Sequence, residues 1–329
     1  LFLCRSREKA KLPYEKRSMR KAVSFLFIIM SVTLVTYGQI DPQYTNNMYY
    51  KLGVNPGFAG TGDAITGLLI NRYQWSGSGK VLVFSADAAV NAFDRTEGIG
   101  ISVLSDKLGF YDNTWVTLSL AHRVTTSIGT LGLGLSPGLF NYSVNGEWVI
   151  PQGGMYTPPD SDPSIPKGEA SQIAFDVGFG AFLYTNNYYA GFSAMHLNQG
   201  AIKYDDVAVD FLTRHYYLMG GYNIKLADPL FELWPSFLVK TDLASVQFDI
   251  NTNIVYNDKF WGGLSYRHQE AVALLLGMEL FNGMRIGYSF DFVTSAMRRT
   301  GFGSHEVFVS YSIDLERNRN QKYKSIRFL

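Results

Sequence analysis

The sequence predicts an all-β fold: a transmembrane antiparallel β-barrel of the outer-membrane type with about 14 strands. An irregular periplasmic segment precedes the first strand and a periplasmic tail follows the last. Two-faced strands, a secretory leader and an asymmetry of turns carry that expectation. Val246-Gln-Phe-Asp-Ile-Asn-Thr-Asn-Ile254 shows the first. Successive strand side chains point to opposite faces, so Val246, Phe248, Ile250, Thr252 and Ile254 share one face. Gln247, Asp249, Asn251 and Asn253 share the other. Asp and Asn are poor strand formers, and four polar positions in register suit a wet lumen with lipid opposite. On that reading Phe248→Arg harms insertion and Asn251→Arg is tolerated.

Met19-Arg20-Lys21 precedes fourteen mostly apolar residues, Ala22 to Val35, and then Thr36-Tyr37-Gly38. These are the charged region, apolar region and small-residue exit of a signal peptide. Fourteen residues rise about 21 Å as a helix, short of the roughly 30 Å hydrocarbon core. Residues 1–18 read as sequence upstream of an initiator Met19, 19–38 as the signal peptide, and Gln39 as the first mature residue. The other expected parts are a periplasmic segment 39–63, a barrel 64–313 and a periplasmic tail 314–329.

Residues 1–38 hold eight basic and two acidic residues of the chain's 29 and 28, which leaves 21 basic and 26 acidic. The mature chain is therefore acidic, and its charge argues against a nucleic-acid partner. The one cysteine, Cys4, also lies in the leader, so the mature chain has no thiol chemistry.

Strand starts fall near residues 64, 80, 97, 113, 129, 170, 187, 212, 231, 245, 259, 271, 283 and 304. An even number suits a single-chain outer-membrane barrel. Alternate connections are short, with turn residues such as Asn186-Asn187, Asp228-Pro229, Asn257-Asp258 and Asn282-Gly283. Several of the others are long: 144–170, 196–211 and 294–303. Short turns at one end and long loops at the other are a barrel trait, and they put both termini on the periplasmic side. Ile173, Phe175, Val177 and Phe179 oppose Gln172, Asp176, Gly178 and Gly180 in the same two-faced way. Aromatics near strand ends suggest interfacial girdles: Tyr73 and Trp75, Tyr184 with Tyr188 and Tyr189, Tyr216 and Tyr217, Phe260 and Trp261.

Chemistry is poorly supported, and the chain reads as a non-enzyme without cofactor or catalytic residues. Gly134-Leu-Ser-Pro-Gly138 matches G-x-S-x-G, but a nucleophile elbow turns from strand into helix, and Pro137 with Leu139 to Tyr142 offers no helical start. Gly79-Lys80 lacks the Ser or Thr of a P-loop. Histidines 122, 196, 215, 268 and 305 are scattered without metal-ligand spacing, and no metal site is expected. Asp205, Asp206 and Asp210 read as solvated surface charge rather than a calcium loop.

Motifs after the leader carry a family resemblance. Asp41-Pro42-Gln43-Tyr44 is followed by Asn55-Pro56-Gly57-Phe58-Ala59-Gly60, then by Arg72-Tyr73-Gln74-Trp75. With Met195-His196-Leu197, Ser304-His305-Glu306 and the ending Ser325-Ile326-Arg327-Phe328, the chain resembles the PorP/SprF family of type IX secretion membrane proteins. Ile326 stands where that family usually has Pro. The resemblance implies an outer-membrane barrel in a Bacteroidetes-type bacterium, working in protein secretion or gliding. Its implied partners are periplasmic type IX components, secreted cargo and outer-membrane lipid. The motif residues are the docking candidates: Asp41, Pro42, Gln43, Tyr44, Asn55, Pro56, Phe58, Gly60, Arg72, Gln74, Trp75, Ser304, His305, Glu306, Arg327 and Phe328. Arg72 is expected to face the lumen and pair with a carboxylate such as Asp87 or Asp176. Tyr44, Tyr49, Tyr50 and Phe58 are expected to pack into the barrel mouth or onto a partner. A diffusion porin or apolar-substrate channel is the alternative.

Overall fold

A computed structural model describes residues 41–314 apart from 63, 76–78, 93–94, 146–168, 205–206, 211, 282, 300 and 302. The segment expected to be a signal peptide, the tail with Arg327 and Phe328, and the Asp205–Asp206 pair lie outside the described residues. Among the described residues seventeen strands are present: β1 (Ala64–Gln74), β2 (Gly79–Ala92), β3 (Arg95–Leu108), β4 (Tyr111–Thr126), β5 (Gly129–Asn145), β6 (Glu169–Tyr184), β7 (Tyr188–Met195), β8 (Ala201–Tyr204), β9 (Val207–Asp210), β10 (His215–Tyr222), β11 (Ile224–Lys225), β12 (Phe231–Thr241), β13 (Val246–Tyr256), β14 (Phe260–Arg267), β15 (Ala271–Phe281), β16 (Met284–Val293) and β17 (Ser304–Asp314).

Neighbours along the chain pair antiparallel, β1 also pairs with β17, and β10 pairs with both β7 and β12. That last pairing closes the sheet. β11 continues β10 beyond Asn223, and β8 with β9 forms a separate hairpin inside the 196–214 connection. Fourteen staves therefore make one closed barrel, as the alternation predicted. Closure removes the unpaired edge that lipid would not tolerate. The expected strand starts at 64, 129, 231, 271 and 304 coincide with the observed ones.

The two faces are those read from the sequence. On β13, Ile250 and Ile254 are 51% and 50% exposed on the outer wall, while Asn251 and Asn253 are 0% and 1% exposed on the inner. Outward apolar side chains continue around the wall, among them Leu69, Phe84, Leu120, Phe175 and Leu274. The girdle assignment needs correction. Tyr73 and Phe260 face outward, but Tyr184, Tyr189, Tyr217 and Trp261 are buried inside. Tyr188–Tyr189, Tyr216–Tyr217 and Phe260–Trp261 are sequence neighbours, and the period of two sends neighbours to opposite faces.

Strand direction puts the strand ends that flank 146–168, 196–214 and 294–303 at one end of the barrel and those that flank 127–128, 185–187, 257–259 and 282–283 at the other. Residue 64, where β1 begins, is at the short-turn end. The segment before it, expected to be periplasmic, instead runs through the lumen. Asp41 meets wall residues at the long-loop end, and Gly60 lies beside Asp87 and Gly98 toward the short-turn end. From Thr45 to Gly62 every residue except Gly53 is buried. The lumen is therefore not simply wet. Asn251 donates to Asn47 Oδ1 at 3.3 Å, so an arginine there has no water to enter and must displace this inner segment.

Candidate functional site: a lumen plug and its seat

Residues 41–62 form a plug whose motif residues meet the wall in three zones. At the long-loop end the zone is ionic. Arg72, near the end of β1, reaches Asp291 on β16 at 2.7 Å and Glu306 on β17 at 3.1 Å. These replace the expected partners; Asp87 and Asp176 serve other groups. Glu306, fully buried, also accepts from the Thr45 and Asn46 backbone N–H groups at 2.9 and 2.8 Å and from the Asn46 amide at 2.8 Å. Asp291 accepts from the Thr45 hydroxyl at 2.6 Å. Arg267 pairs with Asp249 and Asp291 and donates to the Tyr44 carbonyl at 3.2 Å. Gln43 bonds Gln247. Wall charge and plug backbone thus form one network, in which the carboxylates satisfy groups that a turn leaves unpaired.

The middle zone is apolar and aromatic. Tyr49 packs against Trp261 and Phe308 with ring centroids 5.7 and 4.5 Å apart. The Tyr50 and Ser102 hydroxyls share a hydrogen bond of 2.6 Å. Met48, Tyr49 and Tyr50 cluster with Leu68, Ile70, Val81 and Leu275 of the inner wall. Apolar residues appear on the inner face where the plug covers them.

The lower zone is built on absent side chains. Asn55 caps a short 3-10 turn, Pro56–Phe58, by accepting from the Gly57 N–H at 2.9 Å. Its amide donates to the carbonyls of Ala181 and Phe192 at 3.0 and 3.2 Å, which are register partners on β6 and β7. The turn rests on the inward glycines Gly132, Gly134 and Gly180. A Cβ on Gly132 would overlap the Gly57 carbonyl, and one on Gly180 would overlap the Asn55 side chain. Phe58 meets Phe182 edge to face at 5.2 Å, and Lys51 lies 4.0 Å over the Tyr189 ring. Gly60 has φ +65° and donates its N–H to Asp87 at 2.8 Å. Left-handed backbone favours glycine there, and a Cβ would also meet Ala88 O at 2.7 Å.

Asp41 forms a cluster of its own at the long-loop end. It accepts from His196 Nε2 at 3.0 Å and from the Tyr217 hydroxyl, while His215 Nδ1 lies 3.7 Å away. Lys240 donates to its backbone carbonyl at 3.1 Å. His196 Nδ1 contacts Asp176 at 2.8 Å. Burial pushes the Asp41 carboxyl up, but His215 and His196 beside it hold it well below the usual carboxylate range. Burial pushes His196 down, and Asp41 and Asp176 raise it to about 10. A cavity beside this cluster, about 830 Å³ of atom-free space including open solvent, is lined by Tyr50, Leu104, Trp115, His196, Leu238 and Lys240 among others.

The sequence motifs thus converge, with exceptions. Pro42 lines the cavity and Gln74 is buried. Trp75 sits just past β1 with φ +46°, its N–H 3.4 Å from Ser304 Oγ. His305 is apart from the plug, exposed on the outer face beside Tyr288 at 2.8 Å. Two neighbours of opposite parity, His305 and Glu306, cannot both face the lumen. Gly134–Gly138 lies wholly within β5, with no helix after Ser136. Histidines 196 and 215, scattered in sequence, meet at Asp41 because β10 pairs directly with β7, with His215 opposite Met195. Arg267, Asp291, Tyr217 and Lys240 were not singled out as plug contacts; polar residues on inward strand positions were the only signal.

A closed antiparallel barrel with an apolar belt and a lumen filled by its own N-terminal segment defines a plugged membrane β-barrel. The model of one family, the type IX secretion system membrane proteins PorP/SprF, matches residues 36–311, and the chain belongs to that family. It is thus a membrane component of type IX secretion. No curated protein matches the chain. Solved structures of other barrels are similar at low identity. Acinetobacter baumannii outer membrane protein Omp33 has 7% identity over 77% of this chain and 99% of its own, with a TM-score of 0.44. The Ralstonia pickettii toluene transporter TbuX has 10% identity over 86% and 97%, TM-score 0.49. The P. putida toluene transporter TodX has 11% over 80% and 93%, TM-score 0.49. The strand pairing, independently of these likenesses, establishes the barrel.

Proposed function

We propose that this chain is an outer-membrane anchor of type IX secretion that acts by docking, not by conducting solutes. The observation that carries the reading is the plug: residues 45–62 are buried in the lumen almost without exception. A barrel that fills its own lumen keeps two outward resources, its end surfaces and its chain termini. The basic, aromatic-ended tail, with Arg327 and Phe328, remains the docking element for periplasmic machinery or secreted cargo. Tyr44 and Phe58 change role, from docking side chains to internal struts. With the short-turn end toward the periplasm, the Asp41 end of the plug faces the cell exterior, where it supports the loops that would meet cargo. The channel alternative draws on the cavity beside Asp41 and Lys240.

The test compares wild type with a chain ending at Asp314 and with a Tyr44→Ala/Phe58→Ala double variant. Barrel level, secreted-protein profile and small-solute permeability are measured together. Docking through the tail predicts lost secretion in the truncated chain, with normal barrel level and unchanged permeability. Normal secretion in the truncated chain, together with solute uptake that depends on lumen residues, would overturn the reading in favour of a channel. Cysteine labelling of Ser161 in intact cells reports the side of the long loops.

A further inference from the structure

We propose that the outer wall of β1–β4 at the long-loop end binds one phosphorylated lipid lengthwise, with its phosphate between Lys80 and Lys107. With that end outward, the lipid is the phosphorylated glycolipid of the outer leaflet, lipid A. The strand register lays three outward rows across these four strands. Leu69, Phe84, Val103 and Val116 stand side by side in the first. Asn71, Leu82, Ser105 and Thr114 form the second, and Tyr73, Lys80, Lys107 and Asp112 the third. Alternation puts all of them on the lipid side. The Lys107 side chain is 59% exposed and Phe84 48%, whereas the intervening Arg72, Val81 and Val83 are buried.

The order of the rows is that of the groups in such a lipid. Rows two residues apart lie about 7 Å from each other along the strand, so the wall passes from apolar through amide and hydroxyl to cationic over about 14 Å. A phosphorylated lipid runs the same way, from acyl chain through sugar or glycerol to phosphate. Each member of the third row is one residue from the end of its strand. The row therefore marks the rim of the barrel, where the apolar belt gives way to headgroups.

Charge singles out an anion at this level. Lys80 and Lys107 are register partners, and like charges directly opposite each other destabilise a strand pair. Their heads are drawn to opposite sides. The Lys80 ammonium lies 5.5 Å over the Tyr73 ring on β1, and Lys107 pairs with Asp112 on β4 at 2.5 Å. Two cations thus flank the boundary between β2 and β3, and a phosphate between them replaces repulsion with two charge-assisted bonds. Asp112 is the one carboxylate in the three rows, and an exposed ion pair such as Lys107–Asp112 is weak enough to yield. Arg298 and Arg299, exposed in a 3-10 turn (Ala296–Arg299) before β17, add positive charge beside β1 at the same end. The apolar row beneath the lysines favours a lipid over a soluble anion, which would leave that row uncovered.

The lysine site stands on the register alone; the choice of lipid A rests on the orientation proposed for the barrel. The full-length protein, purified in detergent and delipidated, is titrated with lipid A, with lipid A stripped of its phosphates, and with phosphatidylglycerol. Native mass spectrometry reads the bound lipid. One lipid A per chain is expected, with inorganic phosphate at equal concentration failing to displace it. Lys80→Gln/Lys107→Gln should weaken binding by roughly 25-fold, each lysine beside an anionic headgroup being worth about fivefold. Lys225→Gln, exposed at the short-turn end, should change nothing. Asp112→Asn should tighten binding by about two- to fivefold, because the phosphate no longer competes with an exposed ion pair for Lys107. Lys80 and Lys107 are exposed on the wall, and heat-modifiable migration on gels verifies that each variant is folded. Equal binding of lipid A with and without its phosphates would overturn the site, as would equal binding by wild type and the double-lysine variant. Tighter binding of phosphatidylglycerol than of lipid A would overturn the assignment to lipid A. A Ser161 that resists labelling in intact cells faults the orientation instead, with lysine-dependent binding intact.

Discussion

At the long-loop end the plug meets the wall through charge; at the short-turn end it meets the wall through missing side chains. Thr45 and Asn46 hang from Glu306, Asp291 and Arg72 by directional bonds of 2.6 to 2.9 Å. Gly57 instead lies against the bare backbone of Gly132 and Gly180. The first contact depends on every partner being present, because a buried ion that loses its partner keeps the full desolvation penalty. The second depends on an absence, because any Cβ fills the space the plug occupies. The two ends should therefore fail differently: by loss of a bond above, by gain of a methyl below.

The largest effect is expected from Glu306→Ala. It removes one of the two carboxylates that Arg72 pairs with and strands two plug N–H groups, and removing one member of a buried pair costs about 3–5 kcal/mol. Lower thermal stability of the barrel, with protease cleavage appearing within residues 41–62, checks this. Glu306→Gln should lose less, because the amide keeps an acceptor. Equal behaviour of the Ala and Gln variants would mean that the upper clasp is steric rather than ionic.

A smaller loss is expected from Gly132→Ala. Overpacking a close contact costs about 1–3 kcal/mol, here with the plug shifted from its seat. Gly67→Ala is the control, since a Cβ there meets nothing within 4 Å. If both variants unfold at the same temperature and resist protease alike, the glycine seat does not hold the plug. The smallest effect belongs to the middle zone. Tyr50→Phe removes one hydrogen bond to Ser102, worth about 0.5–1.5 kcal/mol, and leaves the ring packing. Denaturant midpoints measured beside Glu306→Ala should rank the three zones in this order.

Much of the fold was legible because a membrane barrel writes itself in a period of two. Ile250 and Asn251 carry the lipid face and the inner face in adjacent letters, and turn residues such as Asn257-Asp258 mark where strands reverse. The motif residues Asp41, Asn55, Gly60, Arg72 and Glu306 were also visible as a set. What they touch was not. Arg72 could be read as inward, but choosing Asp291 and Glu306 over Asp87 and Asp176 needs the pairing of β1 with β17, a closure more than 200 residues long in sequence. Tyr189 and Trp261 read as girdle because aromaticity does not say which face a residue takes, and a shift of one residue reverses it.

The sequence by itself determined the barrel, its strand number, its lipid face and its family, since each is encoded locally and repeats along the chain. Only the tertiary structure decided that the N-terminal segment fills the lumen and that Asp41 meets His196 and His215. Alternation records that a residue points inward but not what stands there. The occupant depends on chain closure, which brings β7, β10, β16 and β17 around a segment that precedes them all.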